Sequence, residues 1–155
     1  MRVTSAVPSR KRRKRAIQRA KGFYGASGKP VILVLLTGSA MAVKWADEHV
    51  PAIIQGWYPG AQGGKAIANI IFGEKNPEGK LPVTFYYSTD ELPAFEDYSM
   101  KNRTYRYMQT DALYPFGYGL SYTDYEYTNV KSSADVVGKD GVDITATVKN
   151  AGSME

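Results

Sequence analysis

The hydrophobic and polar positions of the chain first follow an α/β pattern. Residues 31–36 form a continuous apolar run rich in β-branched side chains, which is typical of a strand buried on both faces. Helical spacing follows over residues 40–48, a second short strand over residues 52–54, and an amphipathic helix over residues 62–72 after a glycine-rich turn. This order of strands and helices predicts an α/β domain with a parallel sheet.

The pattern changes after the second helix. Leu81, Val83 and Phe85 alternate with other residues and predict a half-buried strand, which Pro82 assigns to a sheet edge or to a strand start. Residues 88–121 are rich in Tyr and in turn formers and have no sustained period. A run of this length without regular structure indicates a functional loop or a segment that packs on a neighbouring domain.

Alternation returns near the C-terminus. Tyr125 and Tyr127 alternate with polar residues, and residues 138–141 read as a hairpin turn. After that turn the apolar positions again have a period of two, at Val142, Ile144, Ala146 and Val148. The pattern predicts the start of a β-sandwich, with too few strands to close one. We therefore expect exposed sheet edge and apolar surface, and with them marginal stability or association.

Composition excludes several kinds of site. The 155-residue chain is 43% hydrophobic and 23% charged, which is typical of a soluble globular protein. It has no Cys, which excludes disulfides and thiolate metal sites, and a single His, His49, which excludes a His-rich site. We predict no metal and no cofactor. The longest apolar run is too short to span a membrane and no secretory signal is visible, so we expect a cytoplasmic protein without a membrane partner.

The net charge of +5 hides two parts of opposite sign. Residues 1–21 hold nine of the 20 basic residues and none of the 15 acidic ones, which leaves the rest of the chain with a net charge of −4. Such a basic block binds polyanions by releasing counterions, and the alternative is a solvated basic tail. The candidate RNA-binding residues are the six consecutive cations Arg10, Lys11, Arg12, Arg13, Lys14 and Arg15.

The first 25 residues resemble a known RNA-binding arm. The basic run followed by Ala20-Lys21-Gly22-Phe23-Tyr24-Gly25 is similar to the N-terminal arm of bacterial ribosomal protein L-twenty. The resemblance implies RNA as a partner of a basic helical arm. It ends near residues 26–28, where the character of the sequence switches abruptly, so a joined reading frame or a chimera is a further hypothesis.

From Gly28 onward the chain resembles the C-terminal α/β sandwich domain of glycoside hydrolase family three, the β-glucosidases and β-xylosidases. Five motifs carry the resemblance in order: the run from Lys29 to Ser39, Trp57-Tyr58-Pro59-Gly60, the run from Asn76 to Phe85, the run from Arg103 to Tyr107, and the run from Leu113 to Tyr122. Residues 124–155 resemble the opening strands of the fibronectin-III-like domain that often follows it.

The resemblance implies a fold and three regions. The expected fold is a partial α/β sandwich, followed by the first strands of a fibronectin-III-like β-sandwich and preceded by a basic helical arm. The expected boundaries are residues 1–27 for the arm, 28–122 for the α/β domain, and 123–155 for the incomplete fibronectin-III-like domain. The α/β domain is expected to lack its N-terminal side.

The resemblance also implies a reaction and its limits. The family performs retaining hydrolysis of β-glucosides or β-xylosides with two carboxylates. Its Asp nucleophile belongs to a barrel domain, and in the commonest pattern its Glu acid/base lies in the sandwich domain, upstream of the segment that matches Lys29. We therefore predict no catalytic residue in this chain and no activity without a barrel partner. Candidate substrate-binding residues, at the cleft wall or a domain interface, are Arg103, Tyr105 and Tyr107. The alternative function is an RNA-binding module.

Overall fold

The computed structural model of the chain describes Gly22, Ala26 and residues 28–154, and these fall into two compact units. The first unit comprises the described residues up to Ile67 together with Lys80–Tyr118. The second comprises Ala68–Gly79 together with the described residues from Gly119 onward. Most of the predicted basic arm, including Arg10 to Arg15, lies outside the described residues.

The first unit contains the predicted α/β elements. Strands β1 and β2 are parallel, with Ile32 opposite Ala52 and Leu35 opposite Gln55. This pairing confirms the prediction of a parallel sheet. The elements in chain order are β1 (Ile32–Leu35), helix α1 (Lys44–His49), β2 (Ala52–Gln55), helix α2 (Gly63–Ile71), which continues into the second unit, a 3-10 turn (Thr89–Glu91) and helix α3 (Thr104–Tyr107).

The core of the first unit is built from side chains that are far apart in sequence. The Phe85 ring is only 1% exposed and meets Trp57 edge-on, with ring centroids 6.3 Å apart. Full burial of a side chain of this size stabilises a fold by about 1.5–3 kcal/mol. The buried apolar residues are Leu35, Val43, Ala46, Val50, Phe85 and Leu113.

Two details of the α/β prediction are wrong. Ile32 is 39% exposed and Leu36 is 42% exposed, so the 31–36 run is not buried on both faces. Among the described residues β1 pairs with β2 and with no other strand. Helix α1 also begins four residues later than predicted, at Lys44, because its first hydrogen bonds are those accepted by the carbonyl of Val43.

The segment from Leu81 to Phe85 is not a continuous strand. Phe85 and Tyr114 exchange two backbone hydrogen bonds, and Leu81 donates to Tyr118 and accepts from Gly117. Between these points the ladder is interrupted. A turn in which the Tyr118 N–H donates to the Pro115 carbonyl, with Gly117 at a φ of 83°, removes the residue opposite Val83 from the pairing.

The second unit contains the predicted hairpin. Strands β3 (Tyr125–Ser132) and β4 (Ile144–Asn150) are antiparallel, with Tyr127 opposite Val148, and a bulge shifts the register between Thr128 and Lys131. The connection closes through a bridge between Gly138 and Gly141, and the φ of 81° at Gly141 explains why glycine occupies that position. The hairpin prediction is confirmed. No helix of the described residues is long and apolar enough to cross a bilayer.

Candidate functional site

An open cavity of about 520 Å³ lies in the first unit beside helix α3. Its walls are residues 82–84 and Tyr86, the whole of α3, Met100 and Phe116. None of the described residues that line the cavity has a carboxylate. Retaining glycosidases hydrolyse with two carboxylates, and the described lining offers groups for binding a ligand.

The N-terminus of α3 is held against the cavity wall by two side chains. The backbone N–H of Thr104 donates to the Tyr86 hydroxyl (2.8 Å), and that of Tyr105 donates to the Thr84 hydroxyl (3.1 Å). Thr84 is buried, with 6% of its surface exposed. These bonds satisfy two of the N–H groups that a helix start leaves without an internal partner, and they fix the position of the following tyrosines.

The backbone that enters α3 is strained. Asn102 has a φ of 58° and Thr104 a φ of 55°. A β-branched residue is rarely found in the left-handed region, and such a conformation costs about 1–3 kcal/mol. The two hydrogen bonds to α3 offset part of this cost, because they are made only when the chain turns this way.

An aromatic shelf forms one side of the cavity. The rings of Tyr105 and Phe116 stack with centroids 5.6 Å apart and planes 15° apart. We use the term aromatic shelf for these two residues. The side chain of Met100 and the ring of Tyr107 add further apolar lining. The cavity therefore presents flat hydrocarbon surface to a ligand.

Arg106 is the cation that lines the cavity. The ion pairs formed by described residues are Lys44 with Glu48 and Lys149 with Glu126, so Arg106 has no carboxylate partner among them. The neighbouring hydroxyl of Tyr105, and then Tyr107, raise the pKa of Arg106. The guanidinium is consequently charged at every pH at which the chain would be studied.

Arg103 has a different role from its neighbours. Its Nη2 donates to the carbonyls of Ala94 (3.2 Å) and Asp97 (2.5 Å), and its Nε donates to the carbonyl of Ser99 (3.1 Å). The guanidinium thus ties together the loop that precedes α3. It does not line the cavity.

The same loop holds an Asp in its charged form. The Asp97 carboxylate accepts from the Ser99 N–H at 2.8 Å. Hydrogen bonds from Ser99, followed by the charges of Arg103 and Lys101, lower the pKa of Asp97. This exposed carboxylate is therefore a loop-closing acceptor.

The structure brings two of the three predicted substrate-binding residues together. Tyr105 and Tyr107 line the cavity, while Arg103 supports the loop leading to them. Their role toward a substrate stays a prediction. Sequence reasoning missed Tyr86, Arg106 and Phe116, because only the folded chain brings them into one wall. The described residues contain no group of three or more His, Cys, Asp or Glu side chains that could hold a metal ion.

A second polar contact lies at the end of the first unit's core. The Tyr114 hydroxyl donates to Asp47 Oδ1 at 2.5 Å, and its ring stacks on Tyr118 at 4.9 Å. Burial, reinforced by the hydrogen bond to Asp47, raises the pKa of Tyr114. The phenol is neutral at ordinary pH, and it connects α1 to the segment that carries Leu113.

The carboxyl edge of the parallel strands is filled by its own side chains. Gln55 Nε2 donates to the Thr37 hydroxyl (3.1 Å), and Gln55 Oε1 is buried without a hydrogen-bond partner. The Tyr58 ring lies directly against Gly38, where a Cβ would overlap its hydroxyl. Ligands often bind at this edge of an α/β sheet, but here Tyr58 occupies the space above Gly38.

Asn76 organises the second unit. It is 8% exposed, and its Oδ1 accepts from the Ser121 hydroxyl (3.0 Å) and from the Tyr122 N–H (2.8 Å). The Tyr122 hydroxyl donates in turn to the Ile70 carbonyl (3.1 Å). The Asn at the head of the Asn76-to-Phe85 motif is thus a structural residue.

Comparison with known proteins agrees with the motifs. Residues 4–122 match the glycosyl hydrolase family 3 C-terminal domain. The chain is 55% identical over 113 residues to a xylan 1,4-β-xylosidase of Xylanibacter ruminicola, covering 73% of this chain and 13% of that protein. It is 38% identical over 143 residues to a periplasmic β-glucosidase of Salmonella typhimurium, covering 84% of this chain and 19% of that protein.

Solved structures show the same relation. A β-glucosidase from Erythrobacter marinus aligns with a TM-score of 0.70 and 37% identity, over 88% of this chain and 18% of that one. The resemblance of residues 1–25 to a ribosomal-protein arm gains no support from these comparisons. The chain spans 13% and 19% of the lengths of the two curated relatives. Motifs, fold and matched range together place this chain in glycosyl hydrolase family 3, as a C-terminal α/β domain.

Proposed function

We propose that this chain serves as the C-terminal scaffold part of a retaining β-glycosidase, that a barrel domain supplies the Asp nucleophile, and that the Glu acid/base comes from the part of the sandwich domain upstream of the segment that matches Lys29. The observation that carries the proposal is the family match over residues 4–122. A scaffold role agrees with the cavity of the first unit, where none of the described lining residues has a carboxylate. A retaining mechanism needs two carboxyl groups about 5–5.5 Å apart.

Among the two substrate classes of the family, we propose a β-xyloside. Identity is 55% to the xylan 1,4-β-xylosidase of Xylanibacter ruminicola and 38% to the β-glucosidase of Salmonella typhimurium. A β-glucoside is the alternative. The substrate class is tested by comparing 4-nitrophenyl β-D-xyloside with 4-nitrophenyl β-D-glucoside in a complex that contains this chain and a barrel; a higher kcat/KM for the glucoside would contradict the choice.

The chain alone is the first test of the scaffold role. Purified chain is incubated with each 4-nitrophenyl glycoside, beside buffer and beside a heat-treated sample of the same chain. We expect release of nitrophenol at the buffer rate. Turnover that is lost on heating would mean that the chain holds a catalytic pair of its own and would overturn the proposal.

Within the assembled enzyme we propose that Tyr105 and Tyr107 form part of the substrate-binding wall and that Arg103 positions them. Support comes from the cavity lining and from the three carbonyl contacts of Arg103. Tyr105→Ala is expected to raise KM with a smaller effect on kcat. Arg103→Lys keeps the charge but loses the forked geometry of the guanidinium. It is expected to raise KM by a smaller factor than Tyr105→Ala does.

The hairpin β3–β4 is proposed as the opening of a fibronectin-III-like sandwich. Its amphipathic alternation and its antiparallel pairing support this role. The boundaries at residues 1–27, 28–122 and 123–155 and the cytoplasmic location stay predictions. The test is limited proteolysis: a fragment that ends near residue 122 and keeps its structure would support the last boundary, and simultaneous loss of both parts would contradict it.

RNA is a second candidate partner, proposed from the six consecutive cations at Arg10 to Arg15. The binding of a 20-nucleotide RNA is measured at several salt concentrations. An arm that contacts several phosphates predicts a steep fall of affinity with salt. Replacement of all six cations by Gln should abolish the binding of the RNA. Binding that is insensitive to salt would remove RNA as a candidate partner.

A further inference from the structure

The cavity beside α3 has few polar groups that are free to receive a ligand. The hydroxyls of Thr84 and Tyr86 each already accept a backbone N–H from α3. Most of the remaining lining is hydrocarbon and aromatic, including Val83, Met100 and Phe116. A sugar ring would lose the hydration of its hydroxyls here and gain few hydrogen bonds, which is unfavourable. A flat apolar ring has few hydrogen bonds to water to lose when it enters the cavity.

The rim of the same cavity carries a positive charge that has no carboxylate partner among the described residues. Arg106 lines the cavity, and its side chain is hydrogen-bonded to the neighbouring Tyr105. The guanidinium is exposed, and a guanidinium binds a carboxylate through two parallel N–H···O bonds. The aromatic shelf and Arg106 are therefore complementary to the two ends of one kind of molecule.

We propose that this cavity binds a small aromatic carboxylate, with the ring against the aromatic shelf of Tyr105 and Phe116 and the carboxylate on the guanidinium of Arg106. The volume of about 520 Å³ is in the range of ligand pockets and exceeds what one such molecule needs. The Tyr86 hydroxyl accepts from Thr104 and can donate its own proton to a carboxylate oxygen. The inference concerns the chain by itself and does not depend on glycosidase activity; in an assembled enzyme, a sugar held at Tyr105 and Tyr107 would need polar groups from the other domain.

The full 155-residue chain is titrated with three probes by NMR: 3-phenylpropanoate, the neutral 3-phenylpropan-1-ol, and methyl β-D-xyloside. We expect the carboxylate to bind about fivefold more tightly than the alcohol, which is the gain expected from one partly exposed ion pair. Backbone amide shifts should be confined to residues 83–86, 100, 104–107 and 116, which form or adjoin the cavity wall. Equal affinity for the acid and the alcohol, tighter binding of the xyloside, or shifts that lie elsewhere would each overturn the proposal.

Two variants separate the ring from the charge. Arg106→Gln should remove the preference for the acid while leaving the affinity for the alcohol unchanged, and Phe116→Leu should weaken both ligands while keeping apolar volume. Lys139→Gln, in the hairpin turn of the second unit, removes the same charge and is the matched control; it should change neither affinity. An acid preference that survives in Arg106→Gln, or is lost equally in Lys139→Gln, would contradict the assignment. Melting curves identify any variant that has lost its fold; Arg106→Met then replaces Arg106→Gln, and Phe116→Met replaces Phe116→Leu.

The result is separable from the fate of the glycosidase proposal. A chain that binds the carboxylate yet restores no hydrolysis with a barrel would retain this inference and contradict the scaffold role. A chain that restores hydrolysis and prefers the xyloside probe at this cavity would support the scaffold role and contradict this inference. The two experiments share no readout.

Discussion

The first unit and the hairpin of the second unit use the same alternation of apolar residues in opposite ways. In the first unit the apolar side chains converge on one core, where Phe85 is 1% and Val43 is 2% exposed. In the hairpin Tyr127 is 68% and Ile144 is 71% exposed. The first unit is thus held by burial, whereas the hairpin is held by its turn, its cross-strand bonds and the pair of Glu126 with Lys149.

This difference shows that a period-two alternation of apolar residues identifies a strand but does not show what the apolar face of that strand packs against. The hairpin is amphipathic: its polar face includes Glu126, Thr128 and Lys149, and its other face is apolar. An isolated two-stranded hairpin is at best marginally stable in water, and an exposed apolar face is typical of a contact surface. The apolar residues of this face are Tyr125, Tyr127, Ile144, Ala146 and Val148, and it also carries Ser132 opposite Ile144 and Asn150 opposite Tyr125.

The largest expected effect comes from the core of the first unit. Phe85→Ala should destabilise it by about 3–5 kcal/mol, because it removes a buried ring and leaves a cavity. The matched change in the hairpin, Ile144→Ala, should cost less than about 0.5 kcal/mol. Unfolding in urea is followed by Trp fluorescence for the first unit, which holds Trp45 and Trp57, and by hydrogen exchange of the β3 and β4 amides for the hairpin. Equal costs for the two substitutions would break the comparison.

An intermediate effect is expected in the second unit. Asn76→Ala leaves the Tyr122 N–H and the Ser121 hydroxyl without their acceptor, which should cost about 1–3 kcal/mol. Hydrogen exchange of the Tyr122 amide should accelerate, while urea unfolding followed by Trp fluorescence stays unchanged. Unaltered exchange at Tyr122 would mean that Asn76 does not organise this unit.

Tyr114 gives a smaller effect with a defined pH dependence. Its pKa in the fold is raised, so its contribution to stability is present below the unfolded value near 10 and is lost as the pH rises through the folded value. Tyr114→Phe should cost about 0.5–1.5 kcal/mol at pH 7, the worth of a hydrogen bond. Above pH 10 the difference in the free energy of unfolding between wild type and variant should shrink. A gap that widens with pH would contradict the raised pKa.

The smallest effect is expected at the exposed loop before α3. The pKa of Asp97 is lowered, so its bond to Ser99 is present above the unfolded pKa and is lost as the pH falls through the folded value. The Ser99 amide shift, followed by NMR, should titrate with a midpoint below 3.8, the ordinary value for Asp. Asp97→Asn should remove the titration. A midpoint above 3.8 would show that the loop does not stabilise the carboxylate.

Much of the fold could be predicted because it follows from local periodicity. The strand pair β1–β2, helix α2 and the hairpin all have their signals within a few residues. The break in the ladder opposite Val83 could not be predicted, since it depends on a turn at Gly117 more than thirty residues away. For the same reason Tyr105 and Tyr107 could be selected from a motif, but the hydroxyls of Thr84 and Tyr86 that fix α3 could not. The hydrogen bonds from Arg103 to three backbone carbonyls could not be predicted either, because the residue type does not determine the direction of the guanidinium.

The scaffold role is tested most directly by complementation. The Xylanibacter ruminicola relative is made without the segment that matches this chain, and the chain is added at increasing concentrations while hydrolysis of 4-nitrophenyl β-D-xyloside is measured. We expect each component alone to stay at the buffer rate and the mixture to gain activity that saturates with the chain. Phe85→Ala should abolish this gain, whereas Ile144→Ala should retain it. Saturating binding of the folded chain to the shortened relative without any hydrolysis would contradict the scaffold role.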